Sequence, residues 1–283
     1  MEIIFNNVSY TYNPKTPLSK KAIDKINLSI KEGKINGIIG KSGSGKTTLI
    51  EMMNGLKLPA TGSIKVGDFI LKKNSNISNM NEMRSKIGIV LSNPEEQFFA
   101  PTVYDEIAFG MINFNYKTDK IKEHVSNALI MVGLDDSYLK RDPFTLSNGE
   151  MRKVAIASIL AYNPEVVILD EPTIGLDDRS KKNLWRIIRT LKNRYNKTII
   201  IVTKDIDMLH KIVDHVFVIS DGQLVMEGTK YDVFKEELEL KKYGLEAPKI
   251  ITFSNKVLEK KGIKIGYRDE INDLIKDIYR YVK

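Results

Sequence analysis

Gly40-Lys41-Ser42-Gly43-Ser44-Gly45-Lys46-Thr47 fits the pattern G-x-x-x-x-G-K-[ST], and its flanks give it the right context. Before it, the apolar run Ile35-Asn36-Gly37-Ile38-Ile39 predicts a buried strand; after it, Thr48-Leu49-Ile50-Glu51-Met52-Met53 predicts a helix. Glycines let the backbone curl until successive N–H groups face phosphate oxygens, and a helix N-terminus favours the anion. Lys46 supplies a point charge for the β- and γ-phosphates and Thr47 a hydroxyl for Mg²⁺. A Gly-rich turn that matches by accident would lack the strand and the helix, so the stretch reads as a nucleotide-binding loop.

Working outward, 283 residues can bury a full α/β core and carry a small second domain. The 42% hydrophobic and 28% charged fractions are those of an ordinary soluble globular protein. No apolar run approaches the roughly 18–20 residues that span a bilayer, and Met1-Glu2-Ile3 does not begin a signal peptide. The absence of cysteine excludes disulfides and thiolate metal sites and suits a cytoplasmic protein, while His124, His210 and His215 are too scattered for a metal cluster. A formal charge of +8 fits nucleic acid, an anionic membrane surface, or simply solvated lysines. No aromatic-interleaved basic stripe marks single-strand binding, so no nucleic-acid partner is expected.

Glu2–Tyr12, Ala22–Ile30 and Thr61–Leu71 alternate as half-buried antiparallel strands, with Asn13–Lys21 a loop between the first two. From Asn93 to about Asn163 the pattern becomes helical, with Ile121, Val125, Leu129 and Val132 at helix spacing. Val166–Leu169, Thr198–Val202 and Val216–Ile219 are apolar on both faces, as strands of a helix-covered parallel sheet are. Lys181–Tyr195 is the helix between the first two of these, and Asp221-Gly222 signals a hairpin. Beyond about Tyr231 the chain turns to Lys/Glu-rich helical segments punctuated by Pro248 and Gly262.

Two further motifs carry chemistry. Asp170 and Glu171 close the Val166–Leu169 strand; the first can hold a Mg²⁺ shell and the second can orient an attacking water. Alone, two acids after a strand are an ordinary solvated strand end; downstream of a phosphate loop they are a strong signal. Leu146-Ser147-Asn148-Gly149-Glu150 opens a helix and reads both as a capping box and as an anion site.

In order and spacing, Tyr12, the phosphate loop, Leu146–Glu150, Ile168–Thr173 and Ile174-Gly175-Leu176-Asp177 resemble the ATP-binding-cassette (ABC) ATPases over roughly residues 1–230. Narrower features resemble energy-coupling factor transporters: Pro94-Glu95-Glu96-Gln97-Phe98 looks like their coupling segment. Val8–Tyr12, Thr16-Pro17-Leu18 and Met151–Ala157 look like the second of their two ATPase paralogues. The resemblance implies an α/β fold: a RecA-like parallel-sheet core, an N-terminal antiparallel β-subdomain, an α-helical subdomain and a small C-terminal appendage. It places an ABC ATPase domain at 1–232, its helical subdomain at about 93–163, and a dimerisation appendage at 233–283.

It also implies head-to-tail pairing, with ATP between one chain's phosphate loop and the other chain's signature helix. Tyr12 would stack on adenine, and Gly40, Lys41, Ser42, Gly43, Ser44, Gly45, Lys46, Thr47 and Thr48 would bind ATP. Thr47, Asp170 and Ser92 would serve Mg²⁺, and Glu171 and Lys204 catalysis. Ser147 and Gly149 would face the partner's ATP, with Asp177 at the seam. The implied partners are a homologous ATPase in a heterodimer, a transmembrane coupling subunit and a substrate-binding membrane subunit. The implied place is the cytoplasmic face of the cell membrane, as a peripheral subunit, and the implied cargo a vitamin or other micronutrient.

Four positions in three motifs depart from the family pattern. Ser92 stands for the Q-loop glutamine and is shorter by an amide arm, and Lys204 replaces the switch histidine and can only donate. Asn148 and Glu150 replace the commonest signature residues. A slow site built on Lys46, simple drift with both sites active, and a largely non-hydrolytic regulatory subunit all fit these departures; the rival within transport, an ATPase of another ABC importer, is disfavoured by Pro94–Phe98 and the C-terminal segment.

Overall fold

The computed structural model describes residues 1–76, 80–93, 98–263 and 265–281. In chain order the strands are β1 (Ile3–Tyr12), β2 (Lys20–Ile30), β3 (Ile35–Ile39), β4 (Thr61–Val66), β5 (Phe69–Leu71), β6 (Ile87–Val90), β7 (Val166–Asp170), β8 (Thr198–Val202), β9 (His215–Ser220) and β10 (Gln223–Thr229). The helices are α1 (Lys46–Met53), α2 (Asn81–Ser85), α3 (Val103–Asn113), α4 (Thr118–Met131), α5 (Asn148–Leu160), α6 (Asp178–Tyr195), α7 (Ile206–His210), α8 (Lys230–Phe234), α9 (Glu237–Lys242), α10 (Lys249–Lys261) and α11 (Ile271–Tyr281).

The strands divide into two sheets. An antiparallel one runs β2-β1-β4-β5, and a second runs β10-β9-β3-β8-β7-β6, parallel except where β10 pairs with β9. In the second sheet β3, β7 and β8 are buried along their whole lengths. Because strand side chains alternate with period two, these residues feed two separate cores. Ile35, Ile39, Val167, Leu169, Ile199, Ile201, Val216 and Val218 pack toward α3–α7. Ile38, Val166, Ile168, Ile200, Val202, Phe217 and Ile219 pack toward α1 and the antiparallel sheet. A sheet covered on both faces is the reason these runs are mostly apolar, with Asn36, Asp170 and Thr198 the buried polar exceptions.

This architecture agrees with the α/β expectation and adds β6, which the sequence reading had left unassigned. Its four residues pair in parallel with β7, and Gly88 makes room for α5, where a Cβ would come within 2.9 Å of Ile159. The strand expected at Thr61–Leu71 is a hairpin of β4 and β5. The insertion between β6 and β7 is helical, as expected, with Val103, Ile107, Met111, Val125, Leu129 and Val154 in its core. Toward the C-terminus, Val233, Phe234, Leu240, Ala247 and Ile251 share the apolar cluster of the central sheet, whereas Ile265 and Leu274 are buried outside both clusters.

Candidate functional site

Four neighbouring parallel strands, β3, β8, β7 and β6, end on the same side of the sheet, and ligands of open α/β sheets bind beyond such ends. The chain leaving β3 is the phosphate loop; β8 leads to Thr203 and Lys204, β7 ends in Asp170 followed by Glu171, and β6 leads to Ser92. Tyr12, Ser42, Gly43, Gly45, Lys46, Thr47, Thr48, Ser92, Asp170, Glu171 and Lys204 therefore line one cavity of about 250 Å³, together with Lys20 and Ala22.

Loop geometry explains two of its glycines. Gly45 has φ +105°, and a Cβ there would overlap the carbonyl oxygen of Ala22; a Cβ on Gly40 would overlap that of Ile219. The buried Lys46 ammonium donates to the loop's own carbonyls, Gly40 O at 2.9 Å and Lys41 O at 2.8 Å, with Ser44 Oγ at 3.5 Å. Burial pushes it below the ordinary lysine range; Glu171 and Asp170 pull the other way, and Lys204 adds to the lowering.

Thr47 Oγ1 donates to Asp170 Oδ2 at 3.3 Å. Burial holds the Asp170 carboxyl above the usual aspartate range, against the Thr47 bond, and neighbouring Glu171 adds to the rise. Glu171 sits at φ 45°, an uncommon conformation for a non-glycine residue, and its N–H donates to Val202 O at 2.7 Å across the sheet end. Its Oε2 accepts from Thr203 Oγ1 at 3.1 Å and from the Lys204 N–H at 3.2 Å. The carboxylate is thus tied to the chain that leaves β8.

Arg152, on α5 and buried, was missed in the sequence. Its guanidinium donates to Ser92 O at 2.9 Å and Glu171 O at 3.2 Å, fixing the helical subdomain to two strand ends of the cavity. No local pattern marks such a residue, because its partners lie 60 and 19 positions away. Lys20 was missed too; it is the pairing partner of Tyr12 in β1 and β2. The Tyr12 hydroxyl shares a hydrogen bond of 2.9 Å with Thr48 Oγ1, and its ring meets Tyr10 edge-on at 5.0 Å.

Ser147 and Gly149 lie outside this cavity, at the N-terminus of α5. Ser147 accepts from the Glu150 N–H at 3.4 Å while Glu150 Oε2 accepts from the Ser147 N–H at 2.9 Å, a complete capping box. Glu150 also accepts from Tyr138 OH at 2.6 Å; these bonds, Tyr138 first and Ser147 next, hold its carboxyl at about 2. Asp177 is the N-cap of α6, accepting from the Ser180 N–H at 2.7 Å. Of the expected coupling segment, Pro94–Gln97 lie outside the described residues. Phe98 is buried, whereas Phe99 is exposed and packs edge-on against exposed Phe109 at 4.5 Å. Among the described residues no group of three His, Cys, Asp or Glu could hold a metal, and no helix is long and apolar enough to cross a membrane.

A phosphate loop and a strand-end carboxylate pair brought together on one parallel sheet define an ATPase cassette. Residues 23–174 match the family model described as ABC transporter. The energy-coupling factor transporter ATP-binding protein EcfA2 of Enterococcus faecalis is 40% identical over 260 residues, covering 92% of this chain and 90% of that protein. The EcfA2 protein of Clostridium acetobutylicum is 39% identical over 267 residues, covering 94% and 92%. Among solved structures, cbiO1 of Clostridium perfringens, part of the ABC transporter complex cbiONQ, is similar with a TM-score of 0.73 at 32% identity, covering 89% of this chain and 98% of that one. The ATP-binding cassette MJ0796, a dimer bound to ADP and Pi, also gives 0.73, at 26% identity with 81% and 98% covered. The chain belongs to the ABC transporter family and, within it, to the ATP-binding proteins of energy-coupling factor transporters.

Proposed function

We propose that this chain binds and hydrolyses ATP as a subunit of an energy-coupling factor transporter, powering uptake of a vitamin or other micronutrient. The observation that carries this reading is the convergence of Lys46, Thr47, Asp170, Glu171 and Lys204 on one cavity. Lys46 and the loop N–H groups hold the triphosphate, Tyr12 borders the base, and Glu171 orients the attacking water, steered by Thr203 and the Lys204 N–H. Lys204 then meets the charge that develops on the γ-phosphate. The Thr47 hydroxyl and Asp170 carboxylate are hard oxygen donors 3.3 Å apart, which suits Mg²⁺, with Ser92 beside them. Held by Thr47 and Asp170, such an ion would supply charge neutralisation to the triphosphate.

The assembly that supports this chemistry is a head-to-tail heterodimer with a homologous ATPase, whose ATP would meet Ser147 and Gly149. A transmembrane coupling subunit docks on the helical subdomain near Phe99 and Phe109, and a separate membrane subunit selects the substrate. The chain is then peripheral, at the cytoplasmic face of the membrane. The similarity to proteins named EcfA2, and to cbiO1 as part of cbiONQ, supports this assembly over another importer.

Ser92 and Lys204 favour a slow site on Lys46, with the partner's site faster. Steady-state ATPase of the reconstituted complex tests both readings. Glu171→Gln should lower turnover of this chain's site by about 10²-fold while lowering total turnover less than the matching substitution in the partner. Ser92→Gln with Lys204→His should raise it. Unchanged turnover in Glu171→Gln when the partner's site is silenced removes the hydrolytic role; equal losses from the two subunits, with no gain from the restored pair, remove the asymmetry.

A further inference from the structure

The switch residue Lys204 is followed at once by Asp205, which caps α7 by accepting from the Met208 N–H at 3.2 Å. The inner face of α7 is locked to β3: Leu209 is fully buried, and a Cβ on Gly37 would come within 2.8 Å of its side chain. The opposite side, three residues apart on adjoining turns, is held by the C-terminal segment. Asp207 Oδ1 accepts from the Lys249 N–H at 2.7 Å, at the first residue of α10, and the Lys249 ammonium lies 3.7 Å from Oδ2. Buried His210 meets Arg268 O at 3.2 Å and lies 3.6 Å from Asp269, which also takes Lys230 at 2.7 Å and Tyr231 OH at 2.9 Å.

The same segment reaches the phosphate loop. Gly244 has φ +63°, and a Cβ there would overlap the Lys41 side chain. Gly244–Ala247 and Lys249 form one wall of a cavity of about 360 Å³ whose other walls are Gly40–Ser42 and Thr203–Asp207. A short helix gripped from both ends transmits displacement as a unit, because its packed inner face leaves it no other way to yield.

We infer that Asp207 is a positioning residue through which the C-terminal segment sets where Lys204 stands over the γ-phosphate. The inference rests on the reading of Lys204 as the switch. Movement of the chain around Gly244–Lys249 and Arg268–Asp269, as on docking with a second ATPase, would then alter turnover without altering ATP binding.

The test is a double-substitution cycle in the assembled complex, with the partner's site silenced by its own Glu→Gln change so that turnover reports this chain. Asp207→Ala should lower kcat about fivefold and leave KM for ATP within about twofold, the pattern of an interaction felt only in the transition state. Asp207→Asn, which keeps an acceptor for the Lys249 N–H, and Lys249→Ala, which keeps that N–H, should both stay near the parent rate. In a Lys204→Ala background the Asp207→Ala effect should vanish. Effects that multiply fully, a change confined to KM, or no change in Asp207→Ala would each overturn the inference while leaving Lys204 its role. A Lys204→Ala variant with full turnover would instead remove the switch reading, and this inference with it.

Discussion

The phosphate-loop end of the chain assembles Lys46, Lys204, Glu171 and Ser92 from beyond four adjacent strand ends, whereas the Ser147–Glu150 end is a single helix N-terminus that caps itself. Their electrostatics differ in origin as well. At the first, burial dominates, pushing Lys46 down and Asp170 up, so each group depends on the fold around it for its state. At the second, hydrogen bonds from Tyr138 and Ser147 dominate and hold Glu150 ionised to about 2. The first region is set by tertiary structure, whereas the second is complete within one helix N-terminus.

The largest effect that separates the two ends is on nucleotide affinity of the isolated chain. Lys46→Ala removes a charge-assisted contact worth about 1.5–3 kcal/mol, so ATP affinity should fall about tenfold or more. Loss of the bonds to Gly40 O and Lys41 O adds a looser loop to that deficit. Calorimetry on the folded variant checks it, and unchanged affinity would break the assignment of this end.

Ser147→Ala sharpens the comparison from the other side. It should leave ATP affinity of the isolated chain as it was and cost about 1 kcal/mol of stability through the lost cap, seen in denaturant unfolding. Turnover should fall only when the pair is assembled. A drop in the isolated chain's ATP affinity would show that the two ends are not independent.

The smallest effect is the pH dependence of the capping network. Glu150 has its folded pKa depressed from 4.5 to about 2, so its contribution is complete above the unfolded value and is lost as pH falls through the folded one. The stability gap between the parent and Glu150→Gln should therefore be constant above about pH 5.5 and close as pH is lowered from 4.5 toward 2. A gap that persists at the acid end would mean that packing, not the ionised carboxylate, carries the bonds to Tyr138 and Ser147.

What the sequence by itself determined is what lies close along the chain. The strand–loop–helix around Lys46, the strand ending in Asp170, and the capping box at Ser147 are each written in contiguous residues, since periodicity, glycine freedom and capping act within one or two turns. The two-sided burial of β7 and β8 was legible for the same reason, as short runs of apolar residues. Strand β6 was not, because four residues with a glycine among them carry no period of their own and become a strand only by pairing with β7. Tertiary structure alone decided that Arg152 would join Ser92 to Glu171, that Thr203 would hold the Glu171 carboxylate, and that Asp207 would cap α10 from 42 residues away. Each of these bonds exists because sheet order and helix packing bring polar groups distant in the chain within hydrogen-bond reach, and no local pattern encodes that meeting.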